Sequence, residues 1–423
     1  MDEVDVVDAR DAPHALGAQQ NIFLLLRNLG ASVSKNGSNP TIAFDTWVLS
    51  PRLRHHGVHV YGRELLKNFR ELSREYSVEV APFCSRGDDE FARIFSAAPG
   101  FHPRETGLLE RSRLWRFGGA WALASWDRPD AVFSPQINTL YLRRPVPIVT
   151  TIHDVIPIVM PWKSHKLKTV RFLMRSAVSA SRSIITVSQH SKADLINIYG
   201  LPESRISVVY NGYDHELFND SPADPDLLAQ VRRKHGIRPD YMFHHGVIKP
   251  SKNLRRLIEA YRQLLSRNRE LDLDLVLAGP LGWEYEDVVA AAQEQGKPGR
   301  VILTGALSQQ DLLLLLKGAT LAVIPSLYEG FCMPMIEAMA CAVPTIAANG
   351  SCLPEISGGA LRYFDPHSAE EMSACMGQAL ESDSLRRELS AKGKVRAQQF
   401  GWRRCAEETL AVLASVAGEG GRR

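Results

Sequence analysis

The stretch Ser326-Leu327-Tyr328-Glu329-Gly330-Phe331-Cys332-Met333-Pro334-Met335-Ile336-Glu337-Ala338-Met339-Ala340 decides how this chain reads. An apolar run, Leu321 to Ile324, precedes it and has the length of a buried strand. Gly330 marks a tight turn, and Pro334 stands where a helix would begin. Proline suits the first helical turn, because the N–H it lacks would have no intrahelical partner there. Glu329 and Glu337 are eight positions apart, so Glu329 falls in the strand-to-helix loop and Glu337 about one turn into the helix. The N–H groups of Phe331, Cys332 and Met333, unused by the helix, would point out of its start and suit a phosphate. One carboxylate beside a phosphate and another within reach of hydroxyls fits a nucleotide sugar. The same letters also read as a surface loop and an amphipathic helix whose two acids are solvated, since a short motif is only a hypothesis until its context is known.

That context is an alternation of strand-like and helix-like segments. Thr41 to Asp45, Val78 to Ala81, Ala131 to Phe133, Ile148 to Ile152, Ile184 to Ser188 and Ile206 to Tyr210 read as strands. Tyr61 to Leu72 puts Leu65, Leu66 and Phe69 on one helical face, and Ala193 to Tyr199 reads as a second helix. A polar connector, Asp220 to Pro225, interrupts the pattern. It resumes with Tyr241 to His245, Leu273 to Leu277, Val301 to Thr304, Leu321 to Ile324 and Thr345 to Ala347 as strands. Ser308, with Asp311 three residues on, reads as the cap of a helix through Leu316. Apolar runs buried on both faces suit parallel sheets covered by helices. Two successive units of this kind imply an α/β protein with two Rossmann-like domains and a cleft between them. Ligands of such sheets bind outside the carboxyl ends of the strands.

Composition agrees. The 423 residues suffice for two or three domains, and 45% apolar with 23% charged residues is ordinary for a globular chain. A net charge of +3 is too small to argue for nucleic acid. The six cysteines (Cys84, Cys332, Cys341, Cys352, Cys375, Cys405) form no C-x-x-C pair, which favours reduced thiols in a cytoplasmic protein. The acidic start, Met1 to Asp5, is unlike a secretory signal, and no apolar run approaches the roughly 18 residues needed to span a bilayer.

The glutamate stretch resembles the E-x7-E motif of retaining glycosyltransferases of family 4, which have the GT-B fold. The resemblance covers residues 41 to 416, nearly the whole chain. It implies an N-terminal extension over 1–40, an acceptor domain over 41–212, a nucleotide-sugar donor domain over 213–399, and a C-terminal helix over 400–423 that crosses back to the first domain. It places Glu329 by the donor sugar and Glu337 on the ribose hydroxyls, with Gly330, Phe331, Cys332 and Met333 around the donor. His244-His245-Gly246-Val247-Ile248-Lys249-Pro250-Ser251-Lys252-Asn253 resembles the family's G-x-x-x-P-[RK]-K-N loop, so Gly246 turns the chain and Lys252 anchors the diphosphate. Many members carry an arginine where this chain has Val247 or Ser251, which leaves Lys252 as the strong anchor and Lys249 as its helper.

Thr151-Ile152-His153-Asp154-Val155-Ile156-Pro157 resembles the His-Asp loop of mannosyl- and rhamnosyltransferase-like members, which brings His153 to the reaction centre. Read alone, such a histidine also serves as a structural strand cap. Gly57, within His55-His56-Gly57-Val58-His59, is read as a tight turn and resembles the family's glycine loop, which approaches donor phosphate or acceptor. Ser188 ends a strand and lines the cleft, and Gly279-Pro280 approaches the nucleotide. The three histidines around Gly57 lack a zinc pattern. Asp272-Leu273-Asp274, though it has the D-x-D form of metal-dependent classes, reads as strand-edge polarity, and the resemblance implies no metal or other cofactor. Asn211-Gly212-Tyr213-Asp214 reads as a structural turn.

The resemblance further implies a GDP-mannose or GDP-rhamnose donor, a saccharide or lipid-linked acceptor and a bacterial surface polysaccharide or lipopolysaccharide as product. Basic residues interleaved with aromatics (Arg111 to Trp126, then Lys163, Lys166, Lys168 and Arg171) suit peripheral contact with an anionic membrane or, equally, an amphipathic helix packed into the core. Cys332 and Ala342 stand where the family often has glycine, and each extra Cβ would narrow the site or force φ negative. Such departures leave a catalytically weak binding subunit as the alternative. A phosphorylase or epimerase of the same fold is the rival among enzymes.

Overall fold

The computed structural model describes residues 39–49, 57–84, 99–102, 104–105, 129–137, 146–160 and 166–420. Most of the 1–40 extension, His55, His56, Lys163 and the Arg111 to Trp126 stretch lie outside the described residues. The chain divides into two compact units, one of residues 1–151, 173–185 and 406–423, the other of residues 152–172 and 186–405.

In the first unit six strands, β1 (Thr41–Asp45), β2 (Glu79–Cys84), β3 (Arg104–Glu105), β4 (Ala131–Ser134), β5 (Ile148–Thr151) and β6 (Ser183–Thr186), lie in the order β3-β2-β1-β4-β5-β6. Every pairing among them is parallel. Continuous apolar runs make this sheet, because both of its faces are covered. The helix Gly57–Tyr76 turns Tyr61, Leu65, Leu66, Phe69 and Leu72 inward, the spacing of one helical face. Phe44 meets Phe69 and Phe133 edge-on at centroid distances of 6.0 and 5.2 Å. Each such buried aromatic stabilises the unit by about 2–3 kcal/mol.

The second unit repeats the design. After a short strand, β7 (Ile206–Val208), six strands follow: β8 (Tyr241–His245), β9 (Asp274–Ala278), β10 (Arg300–Gly305), β11 (Leu321–Ile324), β12 (Thr345–Ala348) and β13 (Arg362–Phe364). They are ordered β10-β9-β8-β11-β12-β13, all parallel. Both sheets therefore run outward in two directions from their first strand. In the second, the reversal falls between β8 and β11, and the loops leaving those two strands diverge to opposite sides. A crevice at their carboxyl ends is the expected ligand position.

Two local readings need correcting. The connector Asp220 to Pro225 has no regular structure through Ala223, as read, but its last two residues start a helix. Asp224 accepts the N–H groups of Asp226 and Leu227 at 2.9 and 3.1 Å, Pro225 opens the helix Pro225–His235, and Gly236 ends it at φ +65°. Gly57 lies in the first turn of its helix outside the left-handed region, with open space where a Cβ would stand, so it is no tight turn. The Ser308 cap is as read, its hydroxyl accepting the Asp311 N–H at 3.1 Å. Residues Asn211–Asp214 have no regular structure, and Gly212 is packed so that a Cβ on it would lie 2.1 Å from the Trp402 nitrogen. In the helix Lys166–Ala180, Leu173, Met174, Ala177 and Val178 are buried while Phe172 and Lys168 are exposed. Among the described residues no helix is long and apolar enough to cross a membrane.

Candidate active site

The site grows from the end of β8. Neighbouring strand residues point to opposite faces, and His244 and His245 divide accordingly. His244 is buried with Nδ1 at 2.9 Å from the Val323 carbonyl, and burial pushes its pKa down to about 3. His245 turns the other way and meets Glu337, Nε2 to Oε2, at 2.7 Å. Gly246 then takes φ +139°. A Cβ there would sit 3.4 and 3.5 Å from the Lys252 Cε and Nζ and 3.9 Å from Pro334. Glycine thus brings the backbone down onto the lysine head and the helix start together.

The loop after Gly246 is pinned. Ile248 donates to the Pro280 carbonyl at 2.9 Å, and Gly282 donates back to Ile248 at 2.9 Å. Gly279 needs to be glycine for this contact, since its Cβ would lie 2.0 Å from the Gly246 oxygen. A short 3-10 turn, Pro250–Lys252, ends at Asn253 with φ +56°. Asn253 holds that turn by donating to the Pro325 and Pro366 carbonyls at 3.2 and 2.7 Å. The Leu327 N–H reaches the Ser251 carbonyl at 2.8 Å, which ties the lysine loop to the glutamate loop.

These restraints bring Lys252 Nζ to 2.7 Å from Glu329 Oε1, with both side chains buried. Burial alone would neutralise each group. For Glu329 the burial penalty is outweighed by Lys252 and then Lys249, which hold its pKa below the usual carboxylate value. For Lys252 the Glu329 charge likewise outweighs burial and raises the ammonium pKa. Ser351 Oγ takes the Glu329 N–H at 3.0 Å and donates to its carbonyl at 2.7 Å, fixing the loop from below.

The helix Met333–Ala340 begins beside this pair, with Pro334 in its first turn. The N–H groups of Phe331, Cys332 and Met333 have no hydrogen-bond partner among the described residues. Cys332 sits at φ +71°, and Ala342, past the helix end, at φ +54°. Neither is forced to negative φ, contrary to the expectation from their side chains. The packing around them imposes the left-handed backbone that glycine would adopt freely.

His153 and Asp154 belong to the same unit. A Cβ on Gly330 would lie 2.0 Å from the His153 oxygen and 3.3 Å from Asp154 Cβ, so Gly330 lets the Glu329 loop press on the His-Asp loop. Asp154 accepts the Ile156 N–H at 3.0 Å, and burial raises its pKa against the pull of Lys249. The sequence therefore brings Lys252, Gly246, Glu329, Gly330, Phe331, Cys332, Met333 and Glu337 into one neighbourhood with the His153 backbone. Gly279 supports it through Gly246. Ser188 is fully buried as the cap of the helix Gln189–Tyr199, accepting the Ser191 N–H at 3.1 Å. Gly57 belongs to the first unit. Among the described residues no group of three or more His, Cys, Asp or Glu is placed to hold a metal. His245 was not singled out from sequence, although its place at a strand end beside Gly246 was the available signal.

Sequence and structure comparisons agree with this architecture. The family described as "Glycosyltransferase Family 4" matches residues 55–217, and "Glycosyl transferases group 1" matches residues 229–396. The chain is 32% identical over 369 residues to O-antigen chain mannosyltransferase B of Escherichia coli, spanning 84% of this chain and 94% of the relative. It is 30% identical over 233 residues to an MMP alpha-(1->4)-mannosyltransferase of Mycolicibacterium hassiacum, covering 54% and 53% of the two chains. Among solved structures, Anabaena HepE in complex with UDP and glucose superimposes with TM-score 0.67 at 18% identity, over 89% of this chain and 100% of that one. WaaG, a glycosyltransferase involved in lipopolysaccharide biosynthesis, does so with TM-score 0.61 at 15% identity, over 88% and 99%. At these identities the structural likeness speaks for the fold, while the mannosyltransferase relative speaks for the family. The chain belongs to glycosyltransferase family 4, has the GT-B fold, and is similar to the family's mannosyltransferases.

Proposed function

We propose that this protein is a retaining, metal-independent hexosyltransferase. It moves mannose or rhamnose from a GDP-sugar to a saccharide or lipid-linked saccharide acceptor during synthesis of a surface polysaccharide or lipopolysaccharide. It would work in the cytoplasm, at or near the inner membrane face. The observation that carries this reading is the pair of acid–base contacts, Lys252–Glu329 and His245–Glu337, on either side of a helix start with unused N–H groups. The name of the relative from Escherichia coli supports the sugar and the product class.

The chemistry follows from the charges. As the bond between the anomeric carbon and the diphosphate breaks, negative charge grows on the leaving oxygen. The Lys252 ammonium, held by Glu329, and the helix-start N–H groups would stabilise that charge. The acceptor oxygen bonds to the anomeric carbon on the same face, and its proton passes to the departing phosphate. Glu337, oriented by His245, has its second carboxylate oxygen for the ribose hydroxyls. Glu329 holds Lys252 in place, and with His153 it faces the sugar.

The test is acceptor-dependent GDP release from GDP-mannose and GDP-rhamnose, with the product's anomeric configuration read by NMR. Release with the donor's configuration retained is expected. An inverted product would remove the retaining assignment. Nucleotide binding without transfer or hydrolysis of any common donor would leave the binding-subunit reading instead.

A further inference from the structure

Lys252 is not a free charge. Its ammonium is matched by Glu329 at 2.7 Å, so the pair is close to neutral before any ligand arrives. A diphosphate is a multiply charged anion and needs an uncompensated cation. Among the described residues the neighbourhood holds one candidate, Lys249. It pairs with no carboxylate at ion-pair distance, and its Nζ stands 5.2 Å from the centre of the Trp283 ring. Lys249 as a residue is half-buried, and its ammonium shares its surroundings with Lys252 and Glu329.

The placement of this lysine is built in. Lys249 caps the Pro250–Lys252 turn, and its carbonyl accepts the Lys252 N–H at 3.0 Å, so the two lysines share one rigid turn. Trp283 comes from the loop after β9. The Ile248–Pro280 and Gly282–Ile248 hydrogen bonds, each 2.9 Å, lock that loop alongside. Gly282 leaves no room for a side chain, since a Cβ would lie 2.8 Å from both the Ile248 oxygen and Val247 Cγ1. An indole face attracts an ammonium without neutralising it. Trp283 therefore packs against Lys249 without cancelling its charge, on which Glu329 and Asp154 are the carboxylates that act. Burial lowers the Lys249 pKa, and Glu329 opposes that shift.

We propose that Lys249, held by Trp283, is the second cation for the donor diphosphate, supplying the charge that Lys252 has committed to Glu329. This rests on the reading of the site as a nucleoside diphosphate-sugar site. Calorimetric titration with GDP and with guanosine tests it, on wild type and on Lys249→Met, Lys249→Gln, Lys249→Arg, Trp283→Leu and Lys252→Met. Loss of one charge-assisted contact predicts GDP binding weaker by about tenfold or more in Lys249→Met and Lys249→Gln. Guanosine binding stays unchanged, and the salt dependence of GDP binding becomes shallower. Lys249→Arg retains most of the affinity. Trp283→Leu weakens GDP binding by less, and has no further effect on top of Lys249→Met. Wild-type GDP affinity in Lys249→Met, alongside a loss in Lys252→Met, would overturn the role of Lys249 and leave the donor site standing. Equal losses for GDP and guanosine would overturn it too. If wild type binds none of GDP, UDP, ADP or dTDP, the donor site itself fails and Lys249 with it.

Discussion

Replacing Glu329 by glutamine should destabilise the ligand-free protein strongly, and the size of the loss follows from the geometry. The carboxylate stands 2.7 Å from Lys252 Nζ, with side-chain exposures of 10% and 7% for the two residues. Removing one partner of such a buried pair leaves the other charge uncompensated and costs about 3–5 kcal/mol. The amide keeps some hydrogen-bonding capacity, so about 3 kcal/mol is expected. Lys249 adds to the loss, because the two ammonium groups then face each other without the intervening negative charge. At about 2–4 °C per kcal/mol for a unit of this size, the melting temperature should fall by roughly 6–12 °C. The double variant Lys252→Met/Glu329→Leu removes both charges and should recover most of the loss, giving a coupling energy of at least about 2 kcal/mol.

The pH dependence has a definite sign. The folded pKa of Glu329 is depressed, so its contribution is present above the unfolded value near 4.3 and is lost as pH falls below it. The Lys252 pKa is raised, so its contribution is present below roughly 10.4 and is lost at higher pH. The stability gap between wild type and Glu329→Gln should therefore be full around neutral pH, should close below about pH 4, and should narrow toward pH 10 as the unpaired, buried Lys252 of the variant sheds its proton. Urea titrations at several pH values measure it. A gap under about 1 kcal/mol at pH 7, or strict additivity in the double variant, would refute the reasoning.

Three further outcomes follow from the same geometry. Ala342→Gly should stabilise the protein by about 0.5–1 kcal/mol in urea, because relief of the φ +54° strain exceeds the added chain entropy. Gly279→Ala should cost on the order of 3 kcal/mol and weaken nucleotide binding together with stability, since the new Cβ meets the Gly246 oxygen at 2.0 Å in a backbone of φ +148°. Glu337→Ala should weaken GDP binding by about tenfold or more while leaving the binding of a 2′,3′-dideoxy analogue nearly unchanged, and equal losses for both ligands would argue against the ribose role.

Much of this was legible in the sequence because it is local. Strand runs such as Leu321 to Ile324 declare themselves by length and apolarity, and the order of strands and helices then restricts the topology to few choices. The glutamate stretch carried its own turn, proline and helix, so its elements were placed correctly. What could not be read were pairings across long separations. His245 and Glu337 are 92 positions apart, and period-two alternation says only that His244 and His245 face opposite ways. Which of them meets the acid depends on where β11 lies beside β8, a fact of sheet order. The helix Pro225–His235 was hidden for a different reason. Its Asp-Pro start has the composition of a linker, and only the cap hydrogen bonds separate the two readings.

The two glycine departures show the difference between what a residue prefers and what a fold imposes. An isolated cysteine or alanine avoids positive φ by roughly 1–2 kcal/mol. Cys332 nevertheless holds φ +71° directly before the helix start. On one side Gly330 is pressed against the His153 carbonyl, and on the other Met335 donates to the Cys332 oxygen at 3.1 Å. Escape to negative φ would rotate the peptide planes at this corner, break that hydrogen bond and pull the loop off His153. Those losses exceed the local strain, so the strain remains. Strain of this size is tolerated where surrounding contacts over-determine the backbone, as they do at ligand-binding loops. The outcome is that Phe331, Cys332 and Met333 present their N–H groups beside Lys252 whether or not glycine occupies the corner, so the arrangement that the proposed donor site needs survives a substitution that sequence alone would count against it.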